Sequence, residues 1–250
     1  MARGKWTAGG AAWALEWVQV STALVLSAGG MFAAWEAGVW KTLSGRFRPD
    51  LIVGASSGAW NGWAIAGGAS ADDLEREWHD TSIAATWLFR AELLHRKAQD
   101  LWSRYQPRVP FGLTVVEVPH FHARLVCSPH VTARHLAATC SIPGGFPAVS
   151  IDNKYFVDGG LLGSLPLWAA EEMGATRAIA VNCLTGAPYR MARAILRPRS
   201  PSSRLEVTVI EPSEQLGSLR DTVCWSHSNI ERWIELGERD AKQALRLITM

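Results

Sequence analysis

Cysteine is scarce in this chain and unclustered. Its four cysteines (Cys127, Cys140, Cys183 and Cys224) form no C-x-x-C pair and sit among apolar residues. That excludes a zinc ribbon or a dense disulfide framework and predicts buried free thiols. No group of histidines, cysteines or carboxylates has ligand spacing, so no metal and no other cofactor is expected. No apolar run reaches the roughly 18 residues of a membrane-spanning helix. Net charge is only +2 with 19% charged residues, which lacks the basic footprint of a nucleic-acid binder and the charge excess of a disordered chain. There is no internal repeat of useful length.

What remains is a globular composition. With 250 residues, 48% of them hydrophobic, the chain can bury one large core as a single domain spanning 1–250. Arg3 and Lys5 precede "AGGAAWALEWV", and Ala12-Trp13-Ala14 imitates a small-residue cleavage site. Glu16 interrupts that stretch, so a secretory signal is the poorer reading. The cytoplasm is the default, with membrane association and secretion left open. Thirteen tryptophans is a high count for this length. Trp6, Trp13 and Trp17 share one helical face, which suits either core packing, the preferred reading, or peripheral contact with a membrane.

Two stretches share one arrangement. "STALVLSAGG" (21–30) reads as a strand ending in glycines, followed by helical spacing at Phe32, Trp35, Val39 and Leu43. "PDLIVGASSG" repeats it, followed by the apolar helix "AWNGWAIAGG". Strand, glycine turn and helix twice in about fifty residues predict parallel strands with crossover helices. Ligands in such sheets bind at the carboxyl ends of the strands, where both glycine turns fall. From 70 to 106 the chain is richer in charge, and "SADDLEREW" and "AELLHRKAQDLWSRY" predict a helical cap or lid inserted at about 70–125. "TVVEV" and "RLVC" return to strand character. "SIDNKYFVDGG" predicts a hairpin turning at Asp-Asn. "RAIAVNCL" and "RLEVTVIEP" read as the last strands, with an exposed basic loop (188–203) between them. "SNIERWIELGERDAKQALRLI" closes as an amphipathic helix.

Gly54-Ala55-Ser56-Ser57-Gly58 is a G-x-S-x-G pattern after an apolar run, the pattern that in many esterases presents a serine on a strand-to-helix turn. Alone it is weak; its strand and helix context strengthens it. Ser56 has two downstream partners by type, Asp158 and His227, in the Ser…Asp…His order of α/β-hydrolases. Only one clear strand precedes Ser56, however, and no H-G-G-G loop is present. His227 sits at a helix entrance, where a capping or surface role suffices. Asp158 ends a strand ("YFVDGG") beside Gly159 and Gly160, which allow a sharp turn.

Taken in order, "LVLSAGGMFAAWEAGV", "DLIVGASSGAWNG" and "YFVDGGLLGSLPL" resemble the patatin-like phospholipase family, and "ATCSIPGGFPAVSID" is similar to its segment before the aspartate. The resemblance covers about residues 22–68 and 131–185. It implies a three-layer α/β/α fold with a mostly parallel central sheet. It also implies a Ser56–Asp158 dyad without histidine, motif glycines at 54, 58, 159 and 160 (Gly54, Gly58, Gly159 and Gly160), and an oxyanion hole from the amides around Gly29, Gly30 and Met31. The implied activity is hydrolysis of a lipid or small ester, of lipase or phospholipase A type, through an acyl-serine. The chain departs from the family pattern in several places. Ala28 replaces a glycine, Phe32 stands where a cation is usual and Ala33 follows it, while Gly163 and Ser164 replace asparagines. Phe32 is expected at the mouth of the site, which then favours neutral esters over anionic lipids. Two alternatives share the fold: a lipid-binding or regulatory protein with weakened turnover, and an acyltransferase.

Overall fold

The computed structural model describes residues 21–80, 82, 90–186 and 199–248. The face formed by Trp6, Trp13 and Trp17, the leader-like start and most of the 188–203 stretch lie outside them.

Eight strands form one sheet: β1 (Thr22–Leu26), β2 (Leu51–Ala55), β3 (Phe111–Val118), β4 (His122–Cys127), β5 (Val149–Ile151), β6 (Lys154–Asp158), β7 (Arg177–Val181) and β8 (Glu206–Ile210). Their order is β5-β6-β3-β2-β1-β7-β8, with β4 also on β3. The run from β3 to β8 is parallel, and the strands around β3 add antiparallel pairs. The hairpin β5–β6 turns through Asp152 and Asn153, both at positive φ (49° and 61°), the conformation that Asp and Asn tolerate best among non-glycine residues.

Alternation along the strands sends side chains to two helical layers. Leu24, Leu26 and Ile52 join the larger core under α1 (Ala33–Leu43), α2 (Ser57–Ala66) and the long α7 (His227–Ile248). Ala23, Val25, Leu51 and Val53 pack instead with Trp168, Ala169 and Ala170 of α6 (Leu167–Glu172). The three-layer expectation holds.

The stretch expected as a helical cap at 70–125 is helical only in part. Helices α3 (Ala71–His79) and α4 (Ala91–Arg104) lie within it, but β3 and β4 belong to the sheet. "FGLTVVEV" is buried along nearly its whole length, as a strand covered on both faces must be. Ser70 starts α3 with a reciprocal capping box to Asp73, satisfying otherwise orphaned amides. Buried Lys97 of α4 reaches Glu77 at 2.8 Å and Asp80 at 3.3 Å, and Arg104 also binds Glu77. Burial alone would push the Glu77 carboxyl up, but Arg104 and Lys97 outweigh it and hold it below the usual value.

The described tryptophans are largely core residues. Trp35, Trp63 and Trp233 are fully buried, and their indole N–H groups donate to Asp240 Oδ2, the Leu101 carbonyl and the Leu216 carbonyl at 2.8, 3.1 and 2.8 Å. Helices α1 and α7 cross in backbone contact. A Cβ on Gly38 would lie 2.0 Å from the Ile234 carbonyl oxygen, and one on Gly237 would lie 2.1 Å from that of Trp35. The thiols divide: Cys140 and Cys183 are buried as expected, Cys127 is half-buried, and Cys224 is exposed.

Candidate active site

The sheet itself brings Ser56 and Asp158 together. β4 occupies one edge of β3 along Gly112–Glu117. On the other edge β2 runs parallel as far as Ala55 opposite Thr114, and β6 runs antiparallel to end with Asp158 opposite Val115. The two strands therefore meet head to head on adjacent residues of β3, and the side chains just past their ends converge.

Ser56 sits in the turn between β2 and α2 at φ 53° and ψ −131°, a region that is strained for a residue with a Cβ. The surroundings hold it there. Its amide donates to Thr139 Oγ1 at 2.9 Å, and that hydroxyl donates to the Thr114 carbonyl at 2.8 Å. Gly54 and Gly58 are required by proximity. An added Cβ would lie 2.6 Å from the Ala59 backbone in the first case and 2.2 Å from the Ser27 carbonyl oxygen in the second. Gly159 is equally confined, 2.0 Å from the Thr114 carbonyl oxygen by the same measure, and Gly160 faces the Ala28 methyl at 2.5 Å.

The Ser56 hydroxyl donates to Asp158 Oδ2 at 2.7 Å, and Oδ1 accepts the Gly160 amide at 2.7 Å. Burial pushes the Asp158 carboxyl up from 3.8 to about 7, against the opposing hydrogen bonds from Ser56 and Gly160.

The loop after β1 faces this pair. The Ala28 amide donates to the Ser164 carbonyl at 2.7 Å, and a 3-10 turn (Gly30–Phe32) then leads into α1. The amides of Gly30 and Met31, at its N-terminal end, have no acceptor within the turn. Gly30 takes φ 57°, a conformation glycine adopts freely. Ala28 is not among the positive-φ residues, so alanine is accommodated there without strain.

Ala28, Gly29, Gly30, Ser56, Asp158 and Gly160 line a cavity of about 200 Å³. Ile142, Pro143, Leu161, Leu184, Thr222 and Val223 complete its wall, and among the described residues Asp158 is the one ionisable side chain in it. None of the described residues from 70 to 125 lines the cavity; the segment around the 3-10 turn Leu219–Thr222 does.

Phe32 is not at the mouth. It is 2% exposed and meets Trp233 edge to face, with ring centroids 5.1 Å apart, because the 3-10 turn directs it toward α7. Met31 is likewise buried and is absent from the cavity wall, so only its main chain can serve the site. His227 is an exposed residue at the start of α7, 3.2 Å from Glu231, and is not in the wall either. Sequence reasoning missed Thr139, Thr222 and Val223. Thr139 lay inside a quoted segment, but nothing marked its hydroxyl as a support for Ser56. Among the described residues no three metal-binding side chains cluster, and no helix is long and apolar enough to cross a membrane.

A mostly parallel three-layer sheet with a serine on a strained strand-to-helix turn, bonded to an aspartate at a neighbouring strand end, defines a narrow class of α/β protein. The sequence matches the patatin-like phospholipase family over residues 24–115 and 122–171, more than half of the chain, and the protein belongs to that family. Among solved structures, VipD from Legionella pneumophila superposes with a TM-score of 0.52 at 10% identity, over 91% of this chain and 67% of VipD. The type III effector protein ExoU gives a TM-score of 0.44 at 12% identity, over 91% of this chain and 53% of ExoU. The chain thus spans about two thirds of one and half of the other. No curated protein matches the sequence.

Proposed function

We propose that the protein is a serine acyl-ester hydrolase acting on a lipid or small ester through a Ser56–Asp158 dyad. The observation that carries this is the 2.7 Å bond from Ser56 Oγ to a buried carboxylate inside a cavity also lined by Gly29 and Gly30. A serine hydroxyl is a poor nucleophile without a base in hydrogen-bond reach. Asp158 takes the Oγ proton as Oγ adds to the ester carbonyl. The tetrahedral oxyanion is held by the amides around Gly29, Gly30 and Met31, each such donor being worth roughly 3 kcal/mol of barrier. Collapse breaks the carbon–oxygen bond to the alcohol, which leaves with the proton from Asp158. Water then repeats the sequence on acyl-Ser56, releasing the acid and restoring the hydroxyl. A carboxyl raised to about 7 is close to the optimum for a base that must also return its proton near neutrality.

Family membership supports a lipid acyl ester as substrate. The apolar wall supports neutral esters over anionic ones, now on the cavity residues instead of Phe32. The test is hydrolysis of p-nitrophenyl esters of increasing chain length, and of neutral and anionic phospholipid vesicles, by wild type, Ser56→Ala and Asp158→Asn. Turnover that survives Ser56→Ala overturns the proposal.

A further inference from the structure

Beneath the site lies a buried polar network that the mechanism does not use. The Ser27 hydroxyl, at the end of β1, lies 3.1 Å from Glu36 Oε1 and 3.3 Å from Cys183 Sγ, and it accepts the Cys183 amide at 3.0 Å. Glu36, in the first turn of α1, is 1% exposed. Its second oxygen, Oε2, accepts Asn61 Nδ2 at 3.1 Å. Asn61 belongs to α2, the helix that follows Ser56, and is fixed in turn by donating to the Ala33 carbonyl and accepting the Trp78 indole, both at 2.9 Å.

Each oxygen of this carboxyl therefore holds a different part of the site. One is tied to the loop that carries Gly29 and Gly30, the other to the helix that follows the nucleophile. The same two parts already touch through their backbones, since Gly58 packs on the Ser27 carbonyl. Cys183 Sγ lies where a Cβ of Gly29 would be, 2.3 Å away, so Ser27 and its partners form the floor of the loop. We infer that Glu36 is a positioning residue, whose carboxyl clamps the oxyanion loop to the nucleophile helix and so fixes the loop amides relative to Ser56. This role rests on the hydrolase reading.

Burial pushes the Glu36 carboxyl up to about 8, against hydrogen bonds from Asn61 and Ser27. The Ser27 hydroxyl donates to Glu36 Oε1 and the Asn61 amide to Oε2. The Glu36→Gln side chain keeps both contacts, its oxygen accepting from Asn61 and its amide nitrogen facing Ser27 Oγ, whose hydroxyl can turn to Cys183 Sγ. Leucine has similar bulk and can make neither bond.

The experiment compares kcat and KM for wild type, Glu36→Leu, Glu36→Gln and Ser27→Ala on one p-nitrophenyl ester and on its thiono analogue, at a temperature where melting curves show each variant folded. A thiono ester develops charge on sulfur, so the oxo-to-thiono rate ratio reports how well the loop amides fit an oxyanion. Glu36→Leu is expected to lose kcat on the order of 10²-fold, as misplacement by about an ångström does, with KM little changed and the oxo-to-thiono ratio falling with it. Glu36→Gln should recover most of both. Ser27→Ala, a smaller change that tests the clamp if Glu36→Leu fails to fold, should lower both in the same direction. Wild-type turnover that depends on Ser56 but is unmoved in both Glu36→Leu and Ser27→Ala overturns the positioning role alone. Wild type without Ser56-dependent turnover overturns the hydrolase reading and this role together.

Discussion

The two strand-turn-helix units, β1 into α1 and β2 into α2, lie side by side in parallel register and use glycine for different ends. The first turn places Gly30 at φ 57° and sets Gly29 and Gly30 in the cavity wall. The second puts a serine at φ 53° and aims a side chain there. In the first unit glycine relieves the backbone. In the second the strain stays on Ser56, and glycines on either side only clear space for it. On the proposed mechanism one unit supplies main-chain donors, whose chemistry does not depend on side-chain identity. The other depends on the identity of one atom.

That asymmetry can be broken from the second unit first. Ser56→Ala or Asp158→Asn should lower kcat/KM for ester hydrolysis by at least about 10³-fold, the scale of losing a nucleophile or its base, with a nearly wild-type melting curve. Retention of most activity by Asp158→Asn would remove the dyad.

Glycine substitutions sharpen the contrast at the next level. Gly58→Ala sets a methyl against the backbone oxygen of Ser27, which cannot rotate away, and should prevent folding or abolish activity. Gly29→Ala meets the Cys183 thiol first, at 2.3 Å, and the Ala33 amide nitrogen next, at 3.3 Å, at an extended φ of −165°. It should lower kcat by roughly the value of a misplaced oxyanion donor, about 10²-fold, and Gly29→Ala/Cys183→Ala should recover much of that. If the double variant is no better than the single, the contact with Cys183 is not what makes Gly29 necessary.

pH separates activity from stability. Asp158 must be ionised to act, so kcat/KM should rise with pH through a midpoint near 7, where burial has moved its carboxyl. Stability should run the other way. Asp158 and Glu36 have folded values of about 7 and 8 against ordinary values of 3.8 and 4.5. Between those limits the folded chain binds protons that the unfolded chain releases. The stabilisation is complete below about pH 4 and is lost as pH rises through 7 and 8. These two carboxyls should therefore pull the melting temperature down from about pH 4 to about pH 8, against the opposite contribution of His95 and His135, which burial holds below 6.5, and Asp158→Asn should flatten the fall. An unchanged pH dependence in the variant would separate the profile from Asp158. The smallest effect is expected for His227→Ala, within about twofold of wild-type activity, since the dyad needs no imidazole and His227 is exposed.

Much of the scaffold was legible because it is written locally. Apolar runs, the Asp-Asn turn and the glycines report short-range constraints, and the paired strand-turn-helix units followed from them. The place of β3 was harder. "TVVEV" reads as a strand, but that it carries β2 and β6 end to end on one edge and β4 on the other depends on pairings with distant segments. Phe32 was misplaced for a related reason: its direction is set by Trp233, near the far end of the chain. Thr222 and Val223 carry no motif and reach the cavity only because the segment before α7 folds back over it. The Glu36 network was invisible for the same reason, since Ser27, Glu36, Asn61 and Cys183 become neighbours only when β1, α1, α2 and β7 pack.

The close crossing of α1 and α7 has a consequence for the order of assembly. Everything needed to bring Ser56 and Asp158 together lies within residues 51–158 on one edge of β3. The glycine-lined face of α1 that receives α7 waits for residues 227–248. During synthesis, which proceeds from the N-terminus, the Ser56–Asp158 pair can form while Trp35, Val39 and their neighbours still face water. Chains stalled between these points would expose an apolar helix face, a surface for aggregation or for chaperones, beside an already assembled Ser56–Asp158 pair. The last helix closes the core and ends that exposure.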